Sequence, residues 1–116
     1  LIKKIKLNQL WEIYNSLYQQ NTIAIEDYSK AIEIKPSDAS IYDNRGVSKA
    51  NLKDYSGAIR DYNKAIELDP NDGGAYHNRG ISKYYSGDLI GACEDAKESA
   101  SLLGDDDSQL VKVVCN

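Results

Sequence analysis

Methionine is absent from this 116-residue chain, histidine and tryptophan occur once each, and cysteine and proline only twice. Each shortage closes off a kind of chemistry. One histidine, His77, and two cysteines, Cys93 and Cys115, do not make a zinc-ligand set, and their spacing matches no metal motif. Two cysteines are also too few for a disulfide framework. The plain reading is two partly buried thiols, with a bridge between helices as the alternative in an exporting context. No Gly-x-Ser-x-Gly, phosphate-cradling glycine loop or other catalytic constellation is present, so no enzyme and no cofactor are expected. An enzyme built on Cys93 would need an unusually reactive thiol, and nothing places His77 beside it. Uninterrupted apolar runs extend for only a few residues, too short for a membrane-spanning helix. No signal peptide is visible. A chain that begins at Leu1 without a methionine reads as a fragment or processed product, and the cytoplasm is its expected compartment.

Basic charge is scarce as well. The formal net charge is −4 and the pI about 4.9, which argues against a broad nucleic-acid footprint. The only basic cluster, Lys3, Lys4 and Lys6, reads as a solvated face at the start of a helix. With 28% charged and 41% hydrophobic residues, the composition is that of one folded domain.

What the sequence does contain is a period. The stretch "YDNRGVSK" at 42–49 returns as "YHNRGISK" at 76–83, and Gly46 and Gly80 stand 34 residues apart. Ala24, Ala58 and Ala92 repeat the same interval, as do Asp27, Asp61 and Asp95. Tyr42 and Tyr76, Tyr28 and Tyr62, Ala31 and Ala65, and Pro36 and Pro70 add four more pairs. Three units follow, about 5–38, 39–72 and 73–106, with 107–116 remaining. Each unit reads as two helices. In the second, Ile41, Tyr42, Val47 and Ala50 precede a turn at "KDY", after which Ile59, Tyr62, Ala65 and Ile66 fall at helical spacing. "DPND" then stops that helix, since proline just past the end cannot continue it. Helices this short must bury their stripe on a neighbour, so a stacked all-α array is expected.

Unit 39–72 resembles a tetratricopeptide repeat, whose pattern is W-x2-L-G-x2-Y, then A-x3-F, then P. Tyr42, Gly46, Ala58, Tyr62 and Pro70 carry the match. Unit 73–106 matches at Tyr76, Gly80, Gly87 and Ala92 and departs at Ala96 and Gly104. Unit 5–38 matches at Ala24, Tyr28, Ala31 and Pro36, whereas Trp11 and Glu12 stand where the other units have Arg-Gly. The resemblance implies a right-handed α-solenoid of antiparallel helix pairs, about seven helices in all, in one domain over 1–116. Gly46 and Gly80 with Ala58 and Ala92 would let paired helices approach closely, a structural role.

Leu7, Leu10, Trp11, Tyr14, Leu17 and Tyr18 form a helical stripe in the first unit, although Glu12 at the close-contact position suggests looser packing. At the other end, Gly104 reads as a helix stop and Asp105–Asp107 as an acidic cap. Residues 107–116 then form a capping helix, with Leu110 under Tyr42 and Tyr76 in repeat register.

The arginines call for partners. Arg45 and Arg79 fall where the repeat usually has leucine, and each is expected to pair with one of Asp27, Asp61 or Asp95, in its own unit or the one before. The between-unit version joins Asp27 to Arg45 and Asp61 to Arg79. Such half-buried pairs would fix stacking register more than add stability.

In the proteins the chain resembles, first helices line a concave groove for a peptide or a partner's helix. Carried over by position, the binding candidates are Gln9 and Ile13 from the first unit, and Asp43, Asn44 and Val47 from the second. The third adds His77, Asn78, Ile81, Tyr84 and Tyr85. Asn44 and Asn78 hold equivalent places, and two amides could hydrogen-bond a peptide backbone without reading its sequence. The resemblance does not extend to the clamp for chaperone C-terminal carboxylates. The matching positions hold Gln9, Ile13, Asn44, Gly74 and Asn78, of which only Asn44 fits and none is cationic. A protein- or peptide-binding module is therefore expected, with self-association through the array ends, above all the irregular first unit, as the alternative.

Overall fold

The computed structural model describes residues 2–104 and 108–116, and these form six α-helices, with no strand among the described residues. They are α1 (Ile2–Ile34), α2 (Ala39–Asn51), α3 (Tyr55–Leu68), α4 (Gly73–Tyr85), α5 (Leu89–Leu103) and α6 (Ser108–Val114). Each packs mainly on the next in chain order, giving an elongated body of 51 × 41 × 23 Å. The all-α solenoid of helix pairs is the observed fold. The acidic cap at Asp105–Asp107 lies outside the described residues.

The hairpins α2–α3 and α4–α5 are specified residue by residue. Asp54 and Asp88 cap the second helix of each, accepting from the N–H of Gly57 (3.0 Å) and Gly91 (2.9 Å). A Cβ on either glycine would lie 2.2 Å from the capping carboxylate, so aspartate and glycine three residues on work as one device. The turn before each cap needs a left-handed residue, Lys53 (φ 64°) in one and Gly87 (φ 92°) in the other. Asp38 and Asp72 cap α2 and α4, accepting from the N–H of Ser40 and of Ala75.

Packing follows the small residues. Ala58, Ala65, Ala75, Ala92 and Ala96 are fully buried, and Tyr62 is 1% exposed. At Gly46 a Cβ would sit 2.6 Å from Tyr62 Cε1; at Gly80 it would meet Asp95 Cβ at 3.2 Å. Both glycines are therefore where the helices of a pair touch. Ala96, which stands in place of an aromatic, is buried with Ala92 against Val114 of α6, with Leu110, Val111 and Cys115 alongside.

Two expectations are corrected. Cys93 and Cys115 are not thiols: they form a disulfide that ties α5 to the segment just past α6, with Cα atoms 4.8 Å apart. The sequence shows the two residues but not that α6 doubles back onto α5.

The first unit is also not a helix pair. Its residues run as one straight helix, α1, of 33 residues, which reduces the expected seven helices to six. The cause is local. The turn residue and the capping aspartate of the other units have no counterpart here, since Gln20 runs directly into Asn21, Ile23 stands in place of the glycine, and nothing interrupts the helix. The C-terminal half of α1 packs on α2 through residues such as Ile32. The N-terminal half stays uncovered, with Leu7, Trp11 and Tyr14 each about 60% exposed.

Candidate functional site

The faces that α2 and α4 present are fixed by two copies of one ion-pair cluster. Arg45 grips Asp61 with both prongs, Nε to Oδ2 at 2.9 Å and Nη2 to Oδ1 at 2.7 Å, and Lys49 adds Nζ to Oδ2 at 3.0 Å. Arg79, Asp95 and Lys83 repeat the pattern at 2.8, 2.7 and 3.0 Å. Both aspartate side chains are 5% exposed. Hydrogen bonding to its aspartate holds each guanidinium pKa above its ordinary value. Each arginine also lies over a tyrosine ring, Arg45 over Tyr42 at 5.7 Å and Arg79 over Tyr76 at 5.2 Å.

These pairs correct the between-unit version of the expectation: Arg45 joins Asp61 and Arg79 joins Asp95, both within their own unit. Asp27 holds no arginine and is exposed. The between-unit link exists, but other atoms make it. Arg45 Nη1 reaches Ser29 Oγ of α1 at 3.2 Å, and Arg79 Nη1 reaches Asn63 Oδ1 of α3 at 2.9 Å. Ser29 and Asn63 are themselves one period apart, so the arginine joins three helices at each step.

Held this way, α2 and α4 enclose with the start of α3 a cavity of 290 Å³ lined by Val47, Ala50, Asn51, Tyr55, Tyr62, Asn78, Ile81, Ser82 and Tyr85. No lining side chain is charged, because Lys49 and Lys83 are turned onto their aspartates. The Tyr55 and Tyr85 rings stack at 5.4 Å, 15° from parallel, and form one wall. Burial pushes the Tyr62 phenol pKa up, so this ring stays neutral. The arrangement offers apolar area, an aromatic wall and the amides of Asn51 and Asn78.

Of the expected site residues, Val47, Asn78, Ile81 and Tyr85 meet in this cavity. Asn44 lies outside it, exposed one turn before Val47. Gln9 and Ile13 sit on the uncovered half of α1 and do not line it. Tyr84 touches Tyr85 edge-on at 5.7 Å but lines a different cavity, of 540 Å³, along α5, α6 and the disulfide. His77 is half-buried on α4 and does not line either cavity. Sequence reasoning missed Tyr55, the first residue of α3. Its signal was its position just past the capping Asp54, which aims it back across the hairpin.

Asp43 has a different setting. It stands half-buried against the carboxylates of Asp72 and Asp69, and burial together with these neighbours pushes its pKa up to about 8. A raised carboxyl pKa contributes stability that is full below the unfolded value near pH 4 and is lost as pH rises through about 8. Asp43→Asn is therefore expected to be more stable than wild type by roughly 1 kcal/mol at pH 8, a figure reduced for the half-exposed position. The gain should vanish near pH 4 (urea titrations at both pH values). A variant no more stable at pH 8 would show that Asp43 ionises freely.

The fold and groove together define a class: a helical-repeat module with a lined groove between its first helices. Two family models match, "Tetratricopeptide repeat" over residues 39–72 and "TPR repeat" over 15–53. The chain belongs to the tetratricopeptide repeat family. No curated protein is similar enough to the chain to count as a match. Among solved structures, the chain is similar to the second TPR domain of human RPAP3, in complex with the HSP70 peptide SGPTIEEVD. The two share 24% identity at a TM-score of 0.78 over 88% of each chain. It is also similar to the TPR2B domain of yeast Sti1 in its pHsp70 complex, at 26% identity and a TM-score of 0.75. That likeness covers 97% of this chain and 94% of that one. A third likeness is to the Yersinia enterocolitica type III secretion chaperone SycD bound to a peptide of the translocator YopD. Here identity is 15% and the TM-score 0.78, over 95% and 92% of the two chains.

Proposed function

We propose that this chain is a non-enzymatic interaction module that holds an extended segment of a partner protein in the groove between α2 and α4. The single observation that carries the reading is the uncharged cavity in which Val47, Asn78, Ile81 and Tyr85 meet Tyr55 and Asn51. An aromatic wall with apolar neighbours is the kind of pocket that anchors one side chain of a bound segment. The Asn78 amide and the Oδ1 of Asn51, whose Nδ2 already donates to Asn21, can bond the backbone beside it. The solved relatives that carry peptides support the class of partner.

The ligand we infer is a neutral, apolar-anchored segment and not an acidic C-terminal tail. An acidic tail calls for unpaired cations, whereas Lys49 and Lys83 are committed to Asp61 and Asp95. The compartment we infer is an oxidising one, on the strength of the Cys93–Cys115 bridge and against the cytoplasmic expectation. No described helix is long and apolar enough to cross a membrane.

Peptides selected on the wild-type protein from a displayed library test the reading. The variant Asn78→Ala/Tyr85→Ala is expected to bind them on the order of thirtyfold more weakly, and the peptide SGPTIEEVD to show no saturable binding. Equal binding by wild type and variant would remove the groove. Saturable binding of SGPTIEEVD would overturn the ligand class.

A further inference from the structure

We infer that the first repeat is completed between two copies of this chain, each α1 supplying the first helix that the other lacks. Three residues are missing from the first unit. Trp11, Tyr14, Asn15 and Tyr18 have the W-x2-L-G-x2-Y spacing of a first helix, and they precede Tyr42, Arg45, Gly46 and Lys49 by 31 residues, not 34. By the interval of 31 the first half ends with Gln20 at the place of Asn51, and the second half, which keeps the interval of 34, begins with Asn21 at the place of Tyr55. The residues lost between them are the counterparts of Leu52, Lys53 and Asp54, the whole turn that reverses α2 into α3. Without them the chain has nothing from which to build a hairpin, and the helix continues straight. Shortened hinge loops favour exchange of an identical element between copies.

The straight helix leaves both halves of a repeat interface open in one molecule. On one half lie seven large apolar side chains from Leu7 to Tyr18, each at least half exposed. On the other, Ala24, Tyr28 and Ala31 are partly exposed, whereas their counterparts Ala58, Tyr62 and Ala65 are at most 1% exposed. The donor face and the receiving face of one α1 cannot meet each other. Two helices crossing antiparallel near Asn21 bring each donor onto the other's receiver, with closed two-fold symmetry.

The register can be copied from the intact hairpin. Tyr42 over Ala65 becomes Trp11 over Ala31 of the second copy, and Gly46 against Tyr62 becomes Asn15 against Tyr28. Arg45 and Lys49 on Asp61 become Tyr14 and Tyr18 on Asp27, two phenol donors for the aspartate that otherwise holds no arginine. The same crossing brings Lys6 to the carbonyl end of the other α1, where Asp38 follows. A specific interface buries on the order of 1,200–2,000 Å² in all, and each copy brings seven large exposed apolar side chains to this one. The groove of α2 and α4 stays free, so this inference stands or falls apart from the peptide reading.

Sedimentation velocity on the full chain over a concentration series is expected to show a dimer. Inserting Leu-Lys-Asp between Gln20 and Asn21 restores the turn and should convert it to a monomer of unchanged helix content. Trp11→Asp, which would set a carboxylate over Ala31 of the second copy, should weaken the dimer at least about tenfold while leaving the helix content unchanged. If the insertion impairs folding, the Trp11 variant alone decides. A wild-type monomer at every concentration, or a dimer indifferent to both the insertion and Trp11→Asp, would overturn the inference.

Discussion

Asp61→Ala is expected to lower the free energy of unfolding by about 3 kcal/mol. Asp61 is the only anion in a cluster of two cations, and its side chain is 5% exposed while Arg45 and Lys49 are 19% and 20% exposed. Truncating it leaves both cations half-desolvated, with the Arg45 prongs fixed by Tyr42 on one side and Ser29 on the other. The loss comes from that stranded charge more than from the value of the pair itself. Hence the sharper test is the comparison with Arg45→Leu/Asp61→Leu, which refills the same place with apolar volume. That variant should lose less than half as much, even though it removes every prong of the contact. Asp95→Ala should match Asp61→Ala, since Arg79 and Lys83 repeat the geometry to within 0.1 Å. Urea unfolding checks all three. A loss below about 1 kcal/mol for both aspartates would place these pairs with ordinary surface salt bridges.

The same cluster shows where the sequence was readable. A period of 34 exposes every position twice, so the glycine contacts, the capping prolines and the need of each arginine for an aspartate all followed from repetition. The choice of aspartate did not. Asp27 and Asp61 are equivalent in sequence, and only the hairpin, which sets residues 16 apart side by side, decides for Asp61. The groove was half legible for a related reason. A period gives the helix but not the rotation at which adjacent side chains diverge, and Tyr84 and Tyr85 part company into separate cavities. The continuous α1 was hidden by the assumption of one uniform period. The interval changes inside the first unit, from 31 to 34, and a single register averages across the change.

The disulfide was the least legible element and carries the second large effect. Reducing Cys93–Cys115, or replacing both by serine, is expected to cost about 3 kcal/mol, the chain-entropy value for a closed loop of this size. The separation is 22 residues. For a domain of this length that corresponds to a fall in melting temperature of about 10 °C. The effect should be uneven along the molecule. α6 has seven residues, far too few to persist alone, and Val114, 6% exposed, is its one buried anchor besides the bridge. Release of α6 uncovers Ala92 and Ala96, so α5 loses protection next, while α2 and α3, which pack mainly on each other, on α1 and on α4, keep theirs. Nearest-neighbour coupling in a stacked array makes that gradient a necessary consequence. Amide hydrogen exchange on the reduced protein should therefore speed up in α6 and along α5 and stay unchanged at Tyr62 and Ala65. Uniform acceleration through all the helices would mean that the domain unfolds as one unit. An unchanged α6 would mean that Val114 and its neighbours hold the end of the array without the bridge.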